Sequence, residues 1–335
     1  MQSLFIKLIL LIISVFLILC LIGIYFNKEG FSSENSSGDN DEEYEEYEED
    51  EGDEDNKLSS KKGNVENNKI INESDYRNTI FTNLKRNVGD FNVIHDEKSD
   101  YQRIEVIQFK KNSLGYDKCL LLNNEPQLCN NDEKEYHEII VHFPAYYLKN
   151  IENILIIGGG DCMTLREVMK YPTIKKVDML ELDKQVISVS KKFFDIDTYQ
   201  NDPRVNIIIG DATKKIDSLK NNNYDMVIID TTEDGFVNLP IDEFSFYEKC
   251  KSKMKKNNSI LVKNGDRSLN IVAVSKLFKY MEVIDLADIS IIGDYKFVLG
   301  SDTLDLRNTK NQNKYLEKLD LKKYHYKNHQ NHFLI

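Results

Sequence analysis

Carboxylates recur at one kind of place in this sequence, directly after short runs of apolar residues. Gly158, Gly159 and Gly160 follow "ILII" and lead into Asp161; Glu181 closes "VDMLE"; Asp211 follows "NIIIG"; Asp230 closes "MVIID". A turn of bare glycines lets the backbone come close to a ligand where the N–H groups of a helix start point outward. Glu181 stands 23 residues after Gly158, a spacing at which an acid accepts hydrogen bonds from ribose hydroxyls. The dinucleotide pattern G-x-G-x-x-G/A fails at Met163, so a nucleoside without a pyrophosphate fits better, of the S-adenosylmethionine type. Asp211 is suited to accept from an adenine amine. Any one of these acids reads equally well as a helix cap or a loop acid. Four at four successive strand ends point to one crevice.

The elements that must hold them follow from periodicity. "NILIIGG" is a strand and "DCMTLREVMKY" a helix; "KVDMLELD" is a strand and "KQVISVSKKFF" a helix; "VNIIIGDA" and "YDMVIIDTT" are two further strands. Continuous apolar strands alternating with helices imply a parallel sheet covered on both faces. The fold class expected is α/β, a doubly wound Rossmann-like sheet. A small antiparallel β domain precedes it, read from the alternating runs in residues 101–128. "EKEYHEIIVHFPAYYL" places Tyr136, Ile139, Ile140 and Phe143 at helical spacing. The expected divisions are 1–28, 29–75, 76–146 and 147–335.

Residues 8–26, "LILLIISVFLILCLIGIYF", are uncharged and mostly apolar, long enough to cross a bilayer core as a helix. They read as a signal-anchor, making the chain a single-pass membrane protein; a cleaved signal peptide is the rival reading. Lys7 and the amino terminus flank one side, whereas Lys28 is offset by Glu29, which tilts the body to the exoplasmic or luminal side. Residues 29–75 are polar and acidic and read as a disordered tether. Within them, residues 39–55 hold thirteen acids and no base, and without those acids the formal charge moves from −12 to +1. No basic domain is left for nucleic acid. Cys20, Cys119, Cys129, Cys162 and Cys250 show no CxxC and no metal spacing, so neither a disulfide framework nor a zinc site is expected.

Residues 76–335 resemble the polyamine aminopropyltransferases, the spermidine synthase family. "SDYQRIEV" resembles that family's S-x-YQ strand, and "PQLCNNDEKEYHEIIVHFP" its IQ-x-TERDE-x-x-YHEM-x-x-H-x-P. "ILIIGGGDCMTLREV" is similar to VLVIGGGDGG-x-LREV, "VDMLELD" to V-x-x-VEID, and "DPRVNIIIGDA" and "VIIDTTED" to DPRV-x-x-x-x-GDG/A and VI-x-DSSDP. The tail "LKKYHYKNHQNHFLI" resembles the family's tail. The resemblance implies a decarboxylated S-adenosylmethionine co-substrate, a polyamine acceptor (putrescine by default), methylthioadenosine as product and a homodimer. It implies that Gln102, Glu181, Asp211 and Ala212 hold the nucleoside. His137 and Asp161 would grip the aminopropyl end, and Gln127, Tyr136, Asp230 and Glu233 would line the amine site, with Asp230 as general base. Physical reasoning agrees: Asp161 would repel the carboxylate of intact S-adenosylmethionine and pair with the ammonium of the decarboxylated donor.

Departures from the family pattern gather on the acceptor side. Cys162-Met163 replaces a glycine pair, and those side chains point either into the aminopropyl pocket or into the helix packing. "DTTEDGFVNLP" replaces DSSDP-x-GP, so the acceptor-site acid is Glu233, one methylene longer. "CNN" stands for TER at Cys129–Asn131. "ISIIGDYKFVLGS" offers no evident counterpart of the family's Tyr-Pro loop, because Tyr295 falls inside a strand. The leading expectation is therefore an aminopropyltransferase of uncertain acceptor. The alternatives are a non-catalytic relative that binds the nucleoside as a sensor or partner subunit, and a methyltransferase, which Asp161 disfavours.

Overall fold

Strands and helices alternate from Asn153 to Leu277; the strands are mostly apolar, with Asp178 and Lys263 as buried polar exceptions. The computed structural model describes residues 64–66, 69–71, 73–232, 244–265, 268–289 and 293–333. The apolar stretch 8–26, the acidic tract 39–55 and Glu233 lie outside them. Among the described residues no helix is long and apolar enough to cross a membrane. The described elements all belong to one unit, Ser60–Ile335.

The first elements are a short antiparallel hairpin, β1 (Asn64–Glu66) and β2 (Lys69–Ile71), and a helix α1 (Glu73–Asn87). Composition placed residues 64–75 in the tether; Val65 pairing with Ile70 gives the chain regular structure earlier than that. Four strands follow as an antiparallel meander: β3 (Phe91–Lys98), β4 (Arg103–Phe109), β5 (Lys118–Leu122) and β6 (Glu125–Cys129). One face of this sheet packs with Leu84 of α1, and its other face, with Val106, Leu120 and Leu128, joins the main core.

Cys119 of β5 and Cys129 of β6 are joined in a disulfide, which corrects the expectation from cysteine spacing. Asn123 and Asn124, both at positive φ, close the hairpin tightly. A register shift between Leu120 and Leu121 then leaves Gln127 as an extra residue on β6, because Leu121 faces Pro126 and Leu120 faces Leu128. Without that bulge Leu128, and not Cys129, would stand opposite Cys119. Proline tolerates this place because the interrupted ladder asks less of its missing N–H.

Helix α2 (Glu133–Ala145) lies against the large sheet, although the sequence grouped it with the small domain. The large sheet comprises β7 (Asn153–Gly158), β8 (Lys176–Glu181), β9 (Val205–Ile209), β10 (Met226–Asp230), β11 (Ile260–Asn264), β12 (Tyr280–Ile289) and β13 (Gly293–Ser301). Its order is β12-β13-β11-β10-β7-β8-β9; β7 to β11 are parallel and β12 and β13 antiparallel. In β7, Ile154 and Ile156 enter the core on one face, Leu155 and Ile157 the core on the other. This is why the strand has no polar alternation. The helices α3 (Met163–Met169), α4 (Lys184–Phe194), α5 (Ala212–Lys215), α6 (Phe244–Lys253) and α7 (Ser268–Leu277) make the remaining connections.

The C-terminal segment is tied back onto α2. Buried Glu138 accepts backbone N–H bonds from Lys322, Lys323 and Tyr324. His329 lies flat between Phe143 and Tyr146, its ring centroid 3.8 Å from each. Tyr147 donates its hydroxyl proton to the Leu306 carbonyl, so His329 Nε2–H must donate to Tyr147, and Nδ1 accepts from Tyr324. The imidazole is therefore held neutral, and burial pushes its pKa down to about 3.

Candidate active site

Chain order reverses between β7 and β10: the strands after β7 step one way across the sheet, and β10 and β11 step the other. A crevice opens at such a switch point beyond the carboxyl ends of the strands. Here it is a cavity of about 440 Å³. Glycine is required at its base. Gly158 has φ +81°, and a Cβ there would sit 2.1 Å from the carbonyl oxygen of Asp230; a Cβ on Gly160 would sit 2.9 Å from the Glu181 carboxylate. The bare turn thus lets β7 and β10 close together, with Gly159 N–H donating to Asp230 O at 2.8 Å.

All four strand-end acids line this cavity: Asp161, Glu181, Asp211 and Asp230. Glu181 is 7 % exposed and accepts from Asp183 N–H at 2.8 Å. Burial is the main reason its carboxyl is pushed up to about 7, with Asp183 and Asp161 adding repulsion. Asp211 caps α5, accepting from the N–H and hydroxyl of Thr213; burial opposes its charge, but these bonds and Lys214 hold its pKa below the usual range. Ala212 lies beside it, and Gln102 lines the facing wall from the small sheet.

Asp230 is held by two hydroxyl donors. Tyr136 donates to Oδ1 at 2.6 Å, and Thr164 donates to Oδ2 at 2.5 Å. Burial raises its pKa, Asp161 raises it further, and His137, Thr164 and Tyr136 pull the other way; the net direction is up. A carboxylate so placed takes a proton more readily than an exposed aspartate does. Burial and Asp230 together push the Tyr136 phenol well above its ordinary value, so it stays a donor.

His137 and Asp161 line the same cavity as Asp230 and act on its charge. His137 Nε2 lies 3.4 Å from Asp161 Oδ2, and Asp161 Oδ1 accepts from Met163 N–H at 2.8 Å. Behind them, Arg166 donates both terminal nitrogens to Glu133 at 3.1 and 2.7 Å. Burial disfavours the Glu133 carboxylate, but His137 and Arg166 outweigh it and hold its pKa down to about 2.

Gln127 reaches the cavity from the bulge in β6. Glu233 lies outside the described residues. Cys162 and Met163 are buried in the core, and neither lines the cavity; their side chains belong to the helix packing. Cys162 takes the left-handed conformation, φ +64°, at the start of α3.

Several residues escaped the sequence reading. Tyr295, set aside because it falls in a strand, does lie in β13, yet its side chain lines the cavity and its ring meets Tyr136 edge-on at 5.2 Å. Thr164 carried no signal beyond its place one turn from Asp161. Asp183 joins the two halves of the site: it accepts from Ser99 Oγ at 2.6 Å, Gln102 Nε2 at 3.2 Å and Gln185 N–H at 3.0 Å, while its own N–H holds Glu181. Asn264 donates to the Thr231 carbonyl at 2.8 Å, fixing the chain just after Asp230.

Comparison with known proteins places these features. Residues 133–289 match the spermine/spermidine synthase domain. A polyamine aminopropyltransferase of Thermoanaerobacter sp. (strain X514) is 33% identical over 218 residues, 62% of this chain and 77% of that protein. One from Clostridium beijerinckii is 32% identical over 169 residues, 50% of this chain, and the match spans 58% of that protein's length. A spermidine synthase solved in complex with the transition-state analogue AdoDATO superposes with a TM-score of 0.65 at 26% identity, covering 72% of this chain and 85% of that one.

Proposed function

This chain belongs to the spermine/spermidine synthase family, and from that premise we propose that it moves an aminopropyl group from decarboxylated S-adenosylmethionine to an amine. The observation that carries this reading is one cavity lined both by a doubly hydrogen-bonded, buried Asp230 and by the Asp161–His137 pair.

Glu181 would accept from the ribose hydroxyls and Asp211 from the adenine amine, with Gln102 and Ala212 completing the nucleoside end. Asp161 would hold the ammonium of the aminopropyl arm. The acceptor amine arrives protonated and cannot attack until it loses a proton, which Asp230 would take. Its nitrogen lone pair then forms a bond to the methylene carbon next to sulfur; the carbon–sulfur bond breaks, its electrons pass to sulfur, and neutral methylthioadenosine leaves. Nitrogen, carbon and sulfur must lie in line, so holding them supplies much of the rate. Tyr136 and Thr164 fix the Asp230 carboxylate for that alignment. Gln127 and Tyr295 would border the acceptor, with Glu233 as its further acid and putrescine as the default amine.

Residues 8–26 would anchor the body to a membrane on its exoplasmic or luminal side, and the body would form a homodimer. The Cys119–Cys129 disulfide supports the oxidising side, since such bonds persist mainly in oxidising compartments. Protease protection of the body in sealed vesicles tests that placement.

The test of function follows methylthioadenosine release from the decarboxylated donor with putrescine, cadaverine, spermidine and agmatine in turn. Release with one amine, reduced by about 10²–10⁴-fold in Asp230→Asn, is expected for a general base. No release with any of the four, from folded protein that binds the donor, would refute the transferase for these acceptors and favour a binding role.

A further inference from the structure

His137 stands on α2 with both ring nitrogens turned toward acceptors. Its Nδ1 lies 2.7 Å from the backbone carbonyl oxygen of Glu133, which can only accept, and 3.2 Å from the carboxylate of the same residue. Its Nε2 faces Asp161 at 3.4 Å. A neutral imidazole would leave one of these contacts as lone pair against lone pair. The ring therefore carries both protons in the empty site. Burial opposes that charge, but Asp161 and Glu133 outweigh it and raise the His137 pKa well above its ordinary value. The other charged or titratable groups facing this corner are Arg166 of α3, already bonded to Glu133 and Glu167, Asp230 of β10, and the phenol of Tyr136 beside the ring.

In the empty site, then, Asp161 already has a cation. The donor brings two more positive charges, a sulfonium and the ammonium of its aminopropyl arm. Resting on the donor reading above, we propose that His137 reads the donor's ammonium. When that ammonium reaches Asp161, the proton on His137 Nε2 leaves to solvent. The freed lone pair then accepts a hydrogen bond from the ammonium, while Nδ1–H stays on the Glu133 carbonyl. No covalent bond between heavy atoms changes, and one cation replaces another beside Asp161. Methylthioadenosine, with no ammonium, leaves His137 charged. Intact S-adenosylmethionine carries a carboxylate that an imidazolium attracts, so it holds the proton in place. The histidine thus distinguishes donor from product and from the carboxylated precursor by charge.

Calorimetric titration of the full chain near pH 7 in buffers of different ionisation enthalpy counts the protons released on binding. Glu181, with its pKa of about 7, exchanges protons with any ribose ligand, so the informative quantity is the difference between decarboxylated S-adenosylmethionine and methylthioadenosine. About one extra proton is expected for the donor. The difference should persist in Asp230→Asn and vanish in His137→Asn. In the wild-type protein, the ring nitrogen signals of His137 should change from imidazolium to neutral imidazole in the donor complex alone, a readout that does not depend on the variant folding. Equal proton counts for the two ligands, or a His137 that stays imidazolium with donor bound, would overturn the proposal. Failure of the donor to bind at all would instead remove the reading on which it rests.

Discussion

Replacing Glu181 with glutamine should stabilise the empty protein in a pH-dependent way while weakening nucleoside binding. Glu181 is 7 % exposed, and burial shifts its carboxyl from 4.5 to about 7. A shift of that size corresponds to roughly 3 kcal/mol spent on keeping the group ionised at alkaline pH. Below pH 4.5 the carboxyl is protonated in folded and unfolded chains alike, and the substitution should change little. Between pH 4.5 and 7 the unfolded chain ionises first, so the wild-type protein loses stability as pH rises; above 7 the whole penalty is present. Glutamine keeps an acceptor oxygen for the Asp183 N–H and carries no charge. Thermal unfolding followed from pH 4.5 to 8 should show the variant gaining on the wild type, reaching about 6–12 °C at pH 8 at ~2–4 °C per kcal/mol for a body of this size. Methylthioadenosine should bind about tenfold or more weakly at pH 8, since a charge-assisted hydrogen bond is worth roughly 1.5–3 kcal/mol. A gain independent of pH, or a loss of stability at pH 8, would refute the account of Glu181 as a strained, ligand-awaiting acid.

Further outcomes follow from other parts of the molecule. His329 has its pKa held down to about 3 against an ordinary 6.5, so the stability it contributes is complete above pH 6.5 and is lost as pH falls toward 3. The loss is on the order of 5 kcal/mol. Denaturant unfolding of His329→Gln should therefore show a flatter acid limb than the wild type, even though the variant is weaker at pH 7. Removing the disulfide in a Cys119→Ser, Cys129→Ser double variant should lower stability by about 2–3 kcal/mol, the expectation for so short a loop, and equilibrium unfolding in urea reads this directly. Gly158→Ala should lose nucleoside binding altogether, because its Cβ would meet the Asp230 carbonyl at 2.1 Å; retained binding measured by calorimetry would contradict the close approach of β7 and β10.

What could be read in the sequence was what local pattern encodes. Apolar runs ending in an acid identified β7, β8, β9 and β10, and their common polarity brought Asp161, Glu181, Asp211 and Asp230 to one end of a sheet. Features that depend on register or on tertiary packing were hidden. Counting back from the Asn123–Asn124 turn puts Cys119 opposite Leu128, and only the extra residue Gln127 brings Cys129 into place. A strand position gives Tyr295 no sequence signal of a loop's task, yet a strand beside a cavity can offer a side chain to it. Asp183 caps α4; its bonds to Ser99 and Gln102 cross 84 and 81 residues of sequence and leave no local trace.

The bulge in β6 has a consequence for how far this wall of the cavity can move. Hairpins without a fixed register can slide by one residue, and a slide here would turn Leu128 from the core and carry Gln127 away from the cavity. The covalent link between Cys119 and Cys129 forbids that slide at the open end of the hairpin, as the tight asparagine turn does at the closed end. Between two such stops the glutamine cannot shift along the strand to meet a longer or shorter ligand. This wall of the cavity behaves as a fixed gauge.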